Sequence, residues 1–224
     1  GLSYMGSSSM NHGLHGVISN TPAENFGYKI LKDQIVISGD IHDARMFGQN
    51  LCLHRKIKIS TLEPKFEIED RIKNLSDVRS PYMVLYHNNY GYPFFDEKAL
   101  LKMDTKKTTD RNGNNCKLVT SFVAPSANKP EKVYFNKLNN SKYILKSPKT
   151  NLQINVSISL DTLPIVNQWI LERKRNYVLG IEPATNNVNG YAEAKKDGNL
   201  KYLEPDEEVS FDLKYHFQKL GVNR

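Results

Sequence analysis

Three short stretches, far apart in this chain, carry side chains able to move protons on a polyhydroxylated ligand. The first runs from His12 to Gly16 with imidazoles at His12 and His15, and the second from Leu85 to Pro93 with His87, Asn88, Asn89, Tyr90 and Tyr92. The third, Gly180 to Asn186, contains Glu182 and ends on an asparagine. An imidazole titrates near neutral pH and can donate a proton there. A carboxylate at the end of an apolar run such as Tyr177 to Ile181 is desolvated, which raises its pKa toward the range of a useful general base. Amides supply paired donors and acceptors for hydroxyls, and aromatic faces suit ring carbons. Brought together, these groups could open and reclose a sugar ring.

Each residue also has a plainer role. Glu182 could cap a turn, His87 could be a satisfied structural histidine, and Asn88 and Asn89 could be turn residues. Trp169, the only tryptophan, could stack on a sugar or simply fill the core. His12 and His15 form an H-x-x-H pair, but no third ligand completes a catalytic zinc set, so no metal is expected. There is no G-x-S-x-G elbow, no phosphate-binding Walker loop and no dinucleotide fingerprint, so acyl transfer and nucleotide chemistry have no support.

These residues need elements to position them, and period-two alternation dominates the chain. Leu152, Ile154, Val156, Ile158 and Leu160 alternate with polar residues, as do Phe66, Ile68 and Ile72, and Val209 through Phe217. Such segments are strands with one dry and one wet face. Shorter strand candidates are 28–38, 51–59, 82–87, 117–123, 132–136, 142–145, 166–171 and 177–181. Turn residues such as Asn139, Asn140 and Ser141 separate them. Residues 96–103 offer one or two helical turns at most. Many short strands imply an all-β fold, a large antiparallel β-sandwich, read as a single domain over residues 1–224.

The 224 residues contain 39% hydrophobic residues, 12 Tyr and 9 Phe, which argues against disorder. The net charge of +7 comes from lysines spread along the chain, a solvated basic surface rather than a nucleic-acid footprint. No apolar stretch is long enough for a membrane helix, and without a recognisable n-region and h-region no signal peptide is expected. Cys52 and Cys116 show no metal or disulfide spacing, so free thiols and a cytoplasmic location are expected. The start at Gly1 looks like the interior of a longer protein.

The order of the motifs resembles the aldose 1-epimerase (galactose mutarotase-like) family, in its less-studied branch. The resemblance rests on His15 through Asn25, Leu85 through Pro93 and Gly180 through Asn186, with Phe47 to Leu51 also similar. It implies a β-sandwich with a sugar cleft, Glu182 as general base, His87 as general acid, and His15 as the second sugar-holding histidine. His12, Asn88, Trp169 and Asn186 complete the expected contacts. No cofactor is required, the partner is an aldose, and neither nucleic acid nor membrane is expected. Val17 stands where relatives carry Arg, and Ser19 lacks the basic residue of the sugar-phosphate branch, which speaks against a phosphorylated sugar. The family's first strands would precede Gly1; a separate segment or a second subunit would cover the open sheet. Two alternatives stay open: a carbohydrate-binding module without turnover, and another sugar epimerase or isomerase on the same fold.

Overall fold

The computed structural model describes residues 15–46 and 48–221. Thirteen strands, a 3-10 turn (Ile18–Asn20) and one short helix, α1 (Tyr191–Lys196), make up its regular structure. The strands are β1 (Glu24–Ile30), β2 (Gln34–Ala44), β3 (Asn50–Ser60), β4 (Lys65–Asn74), β5 (Ser80–Tyr82), β6 (Asn88–Gly91), β7 (Leu100–Asp110), β8 (Lys132–Ser147), β9 (Leu152–Ile158), β10 (Ile165–Arg173), β11 (Asn176–Ala184), β12 (Lys201–Leu203) and β13 (Glu208–Lys219). All strand ladders are antiparallel. Ten strands follow the order β1-β2-β3-β4-β13-β9-β8-β10-β11-β6, β7 pairs with β8, and β5 and β12 form a separate ribbon.

The large sheet curls over on itself, giving the expected sandwich. β6 lies at one end of the strand order and β13 near its middle, yet the Tyr215 hydroxyl on β13 donates to Asn88 Oδ1 on β6 at 2.9 Å. The space between is filled by Leu51, Ile72, Tyr143, Leu145, Val156, Ile170, Leu179, Ile181, Phe211 and Leu213, all essentially inaccessible. Burial of this many large side chains is the main stabilising term, each contributing about 1.5–3 kcal/mol. One ion pair is built into it. Arg55 donates to Asp70 through Nε at 2.9 Å and Nη2 at 2.6 Å, and the Tyr86 hydroxyl donates to the same carboxylate at 2.7 Å. That network pulls Tyr86 inward, so its chain neighbour His87 points the other way.

Several sequence expectations need correction. Residues 28–38 are not one strand but a hairpin, turning at residues 31–33 between β1 and β2. Residues 132–136 and 142–145 belong to one strand, β8, because Asn139 and Asn140 do not turn the chain. Their amides instead bind Asp104 of β7 at 2.7 and 3.2 Å. Residues 117–123 run without a ladder, since side chains take up their backbone groups: Gln168 Nε2 donates to Val119 O at 2.8 Å, and Val123 N donates to Glu172 Oε1 at 2.8 Å. Residues 82–87 form only isolated bridges at Val84 and Leu85 beyond the short β5. The segment 96–103 is a turn leading into β7, a strand the alternation did not reveal.

Candidate active site

The register of three adjacent strands decides which side chains share the outer face beside β11. Gly180 stands opposite Trp169 of β10 and Asn89 of β6, and Glu182 stands opposite Asn167. Because side chains alternate, Gly180, Glu182, Trp169, Asn167 and Asn89 lie on one face, while Leu179 and Ile181 enter the core. Val133 of β8, opposite Trp169, extends the same face. Of these, Asn89, Val133, Trp169 and Glu182, with His15, Leu85, His87, Arg111, Glu131 and Val188, line a cleft of about 430 Å³.

Glu182 is the group this cleft is built around. It lies within β11 rather than at a strand end, because the strand continues through Pro183 to Ala184. Its side chain is 4% exposed, and burial pushes its carboxyl up to about 7. Oε1 sits 3.2 Å from His87 Nε2, yet the alignment makes no hydrogen bond and that oxygen has no other partner. A buried carboxylate oxygen without a donor is costly, and such a group is a recognised mark of a functional site. Gly180 makes the space: a Cβ there would run into Glu182 Oε1 and lie 3.3 Å from Trp169 Cβ. Asn167 braces the local backbone, its Nδ2 donating to the carbonyls of Glu182 at 3.4 Å and Asn186 at 3.3 Å.

His87 is more open, with its side chain 32% exposed. Desolvation holds its pKa below the usual imidazole value, and the neighbouring His15 adds to the effect. The rings of His15 and Trp169 both approach His87 edge to face, at 5.7 and 5.9 Å between centroids. Trp169 therefore lines the cleft rather than filling the core. Its indole N–H donates to Glu131 Oε2 at 2.8 Å, and Glu131 Oε1 meets Arg111 Nη1 at 3.2 Å. Glu131 and Arg111 form a charged wall that no sequence motif announced.

The structure thus brings His15, His87, Trp169 and Glu182 together. It does not bring in Asn88, whose amide faces the core: Nδ2 donates to the Tyr143 hydroxyl at 3.3 Å, and Oδ1 accepts from Tyr215. Asn89 holds the cleft position instead, one residue along and on the opposite face. Asn186 is likewise turned away, with Nδ2 donating to Asn199 O at 2.7 Å and Oδ1 accepting from Thr185 Oγ1 at 2.7 Å. His12 lies outside the described residues. Among the described residues no group of three metal-ligating side chains converges, and no helix is long and apolar enough to cross a membrane.

The profile of a family described as "Domain of unknown function (DUF4432)" matches residues 1–217. The chain belongs to the DUF4432 family. No curated protein matches this DUF4432 chain in sequence. Among solved structures, it is similar to a Klebsiella pneumoniae protein named as a candidate aldose 1-epimerase, with a TM-score of 0.82 at 21% identity over 91% of this chain. The Slr1438 protein of Synechocystis gives 0.77 at 18% identity over 97% of this chain. A galactose mutarotase-like protein of Clostridium acetobutylicum gives 0.66 at 16% over 92%. The DUF4432 chain spans 56%, 74% and 69% of those three chains respectively. At these identities the likeness establishes the fold, a galactose mutarotase-like β-sandwich.

Proposed function

We propose that this chain interconverts the anomers of an aldose, with Glu182 and His87 as the proton-transfer pair. The observation that carries the reading is the buried carboxylate oxygen of Glu182, 3.2 Å from His87 Nε2 and otherwise without a partner. The anomeric hydroxyl and the ring oxygen share one carbon, so groups serving them must be neighbours. Glu182 removes the hydroxyl proton while His87 protonates the ring oxygen, and the bond between C1 and that oxygen breaks. Rotation about C1–C2 turns the other carbonyl face, and reclosure returns both protons. The names of the similar structures support the same chemistry, and the cleft suits one pyranose, with Trp169, Leu85 and Val133 as apolar walls and Asn89, Arg111 and Glu131 as hydroxyl partners.

The pair works with one proton between the two groups, since burial raises the pKa of the Glu182 carboxyl and lowers that of the His87 imidazole. Exchange should therefore follow a bell in pH, falling on the alkaline side as the last proton leaves through about 7 and on the acid side as a second is taken up. Anomer exchange followed by NMR across a panel of aldoses tests the proposal. Glu182→Gln should slow exchange by about 10²–10⁴-fold, the usual contribution of a positioned acid or base. Equal rates for wild type and variant would remove Glu182 as base. Sugar-induced thermal stabilisation without any acceleration would leave a binding module instead.

A further inference from the structure

A second cavity, of about 490 Å³, continues the outer sheet face beyond the cleft. Along β8, Val133 lines the cleft while Phe135 and Lys137 line the cavity; past β11, Val188 lines the cleft and Asn186 and Asn187 the cavity. β7 follows suit, with Thr109 and Lys107 in the cavity and Arg111 just beyond the strand in the cleft. The two spaces lie end to end, and the four residue steps from Val133 to Lys137 span about 13 Å of strand.

The cavity is basic in an unusual way. Lys107 and Lys137 stand directly opposite each other in the β7–β8 ladder, and Lys201 joins them on its wall. Like charges at opposed positions destabilise a sheet pair. Among the described residues, no carboxylate forms an ion pair with any of the three, although Asp197 also borders the cavity. The adjoining groove reuses Lys107 and Lys137 and adds Lys106 and Lys117. Repulsion left without a counterion inside a concavity, on the face that carries Glu182, is what an anionic ligand group would relieve. The amides of Asn187 and Asn199 and the Thr109 hydroxyl lie beside it as hydrogen-bonding groups.

We infer that this cavity is an anion subsite, and that the substrate is an aldose bearing a carboxylate or phosphate at the end remote from its anomeric carbon. The identification of the sugar rests on the anomer-exchange reading; the anion subsite does not. Ser19 brings no charge to the site, so the lysines of β7, β8 and β12 would be the anion's partners.

Calorimetry at low ionic strength tests this with a neutral hexose, the matching hexuronate, the matching hexose phosphate and inorganic phosphate alone. Wild type should bind at least one anionic sugar about tenfold or more tightly than the neutral one, consistent with charge-assisted hydrogen bonds. The hexuronate and phosphate arms distinguish carboxylate from phosphate. Lys137→Ala should abolish that preference and Lys137→Arg should keep it; Lys137 and Lys107 are both exposed, so folding is not at stake. Equal affinity of wild type for neutral and anionic sugars, or an anion preference untouched by Lys137→Ala and by Lys107→Ala, overturns the inference. Lysine-dependent anion binding with no anomer exchange for any sugar would defeat the proposed reaction and leave the subsite standing. Glu182-dependent exchange indifferent to the anionic group would do the reverse.

Discussion

Two carboxylate–imidazole pairs sit on this sheet and behave in opposite ways. On β2 and β3, Asp40 Oδ1 and His54 Nδ1 are 2.6 Å apart, and Asn25 Nδ2 donates to the other Asp40 oxygen at 2.9 Å. With side chains 21% and 37% exposed, that pair is wet and fully bonded; the Asn25 hydrogen bond first, then His54, holds the Asp40 carboxyl below its usual range. Glu182 and His87 are 3.2 Å apart without a hydrogen bond, and burial drives the Glu182 carboxyl upward. The same two functional groups make a bonded surface contact in one place and a buried, unbonded contact in the other. Solvation and hydrogen-bond count separate them, not residue type.

The largest test of that contrast is stability against pH. Glu182 has its pKa raised on folding, from 4.5 to about 7. Its ionisation therefore opposes the fold increasingly as pH rises above 4.5, and in full above about 7. Glu182→Gln should stabilise the protein by roughly 3 kcal/mol at pH 9 and by little at pH 4, since each tenfold change in proton affinity on folding is worth about 1.36 kcal/mol. Denaturant melts at the two pH values read this directly, and a destabilised variant at pH 9 would show that the carboxylate is satisfied after all.

Next comes Gly180→Ala. The added methyl meets only the far end of the Glu182 side chain and the Cβ of Trp169, and no backbone atom as closely, so the melting temperature should move little. The displaced carboxylate should cost about 10²-fold in anomer exchange, the usual penalty for an ångström of misplacement at a reacting centre. Its alkaline limb should shift to lower pH as the carboxylate gains water. An unchanged rate with a normal melt would mean that the slot beside Gly180 plays no part.

The smallest effect belongs to Asp40→Asn. Asp40 has its pKa lowered on folding, so its contribution is present above the ordinary aspartate value of 3.8 and is lost as pH falls through the folded value. For a half-exposed pair the cost at pH 7 should stay under about 1 kcal/mol, and it should vanish in strong acid. A loss of several kcal/mol would make this pair as buried in solution as the cleft one.

Much of this was legible in the sequence, for identifiable reasons. β4, β9 and β13 alternate cleanly because one face of each is in the core. β7 escaped because its alternation, Leu101 and Met103 inward, dissolves into a polar run where the ladder slips between Met103 and Lys107. Glu182 and His87 stood out as a carboxylate and an imidazole bordering apolar runs. The choice between Asn88 and Asn89 needed the register of β6 on β11, because a shift of one residue exchanges the two faces. Glu131 and Arg111 lie in polar stretches, where nothing local distinguishes a cleft wall from open surface.

β8 joins the two halves of the molecule. It pairs with β10 through Lys132–Asn136 and with β9 through Lys142–Ser147, while β7 runs alongside both stretches. A single rod splinted across both halves passes on any loosening at one end. Occupying the cleft should therefore slow amide hydrogen exchange in β9 as well as in β10, so that a sugar would be felt in strands it never touches.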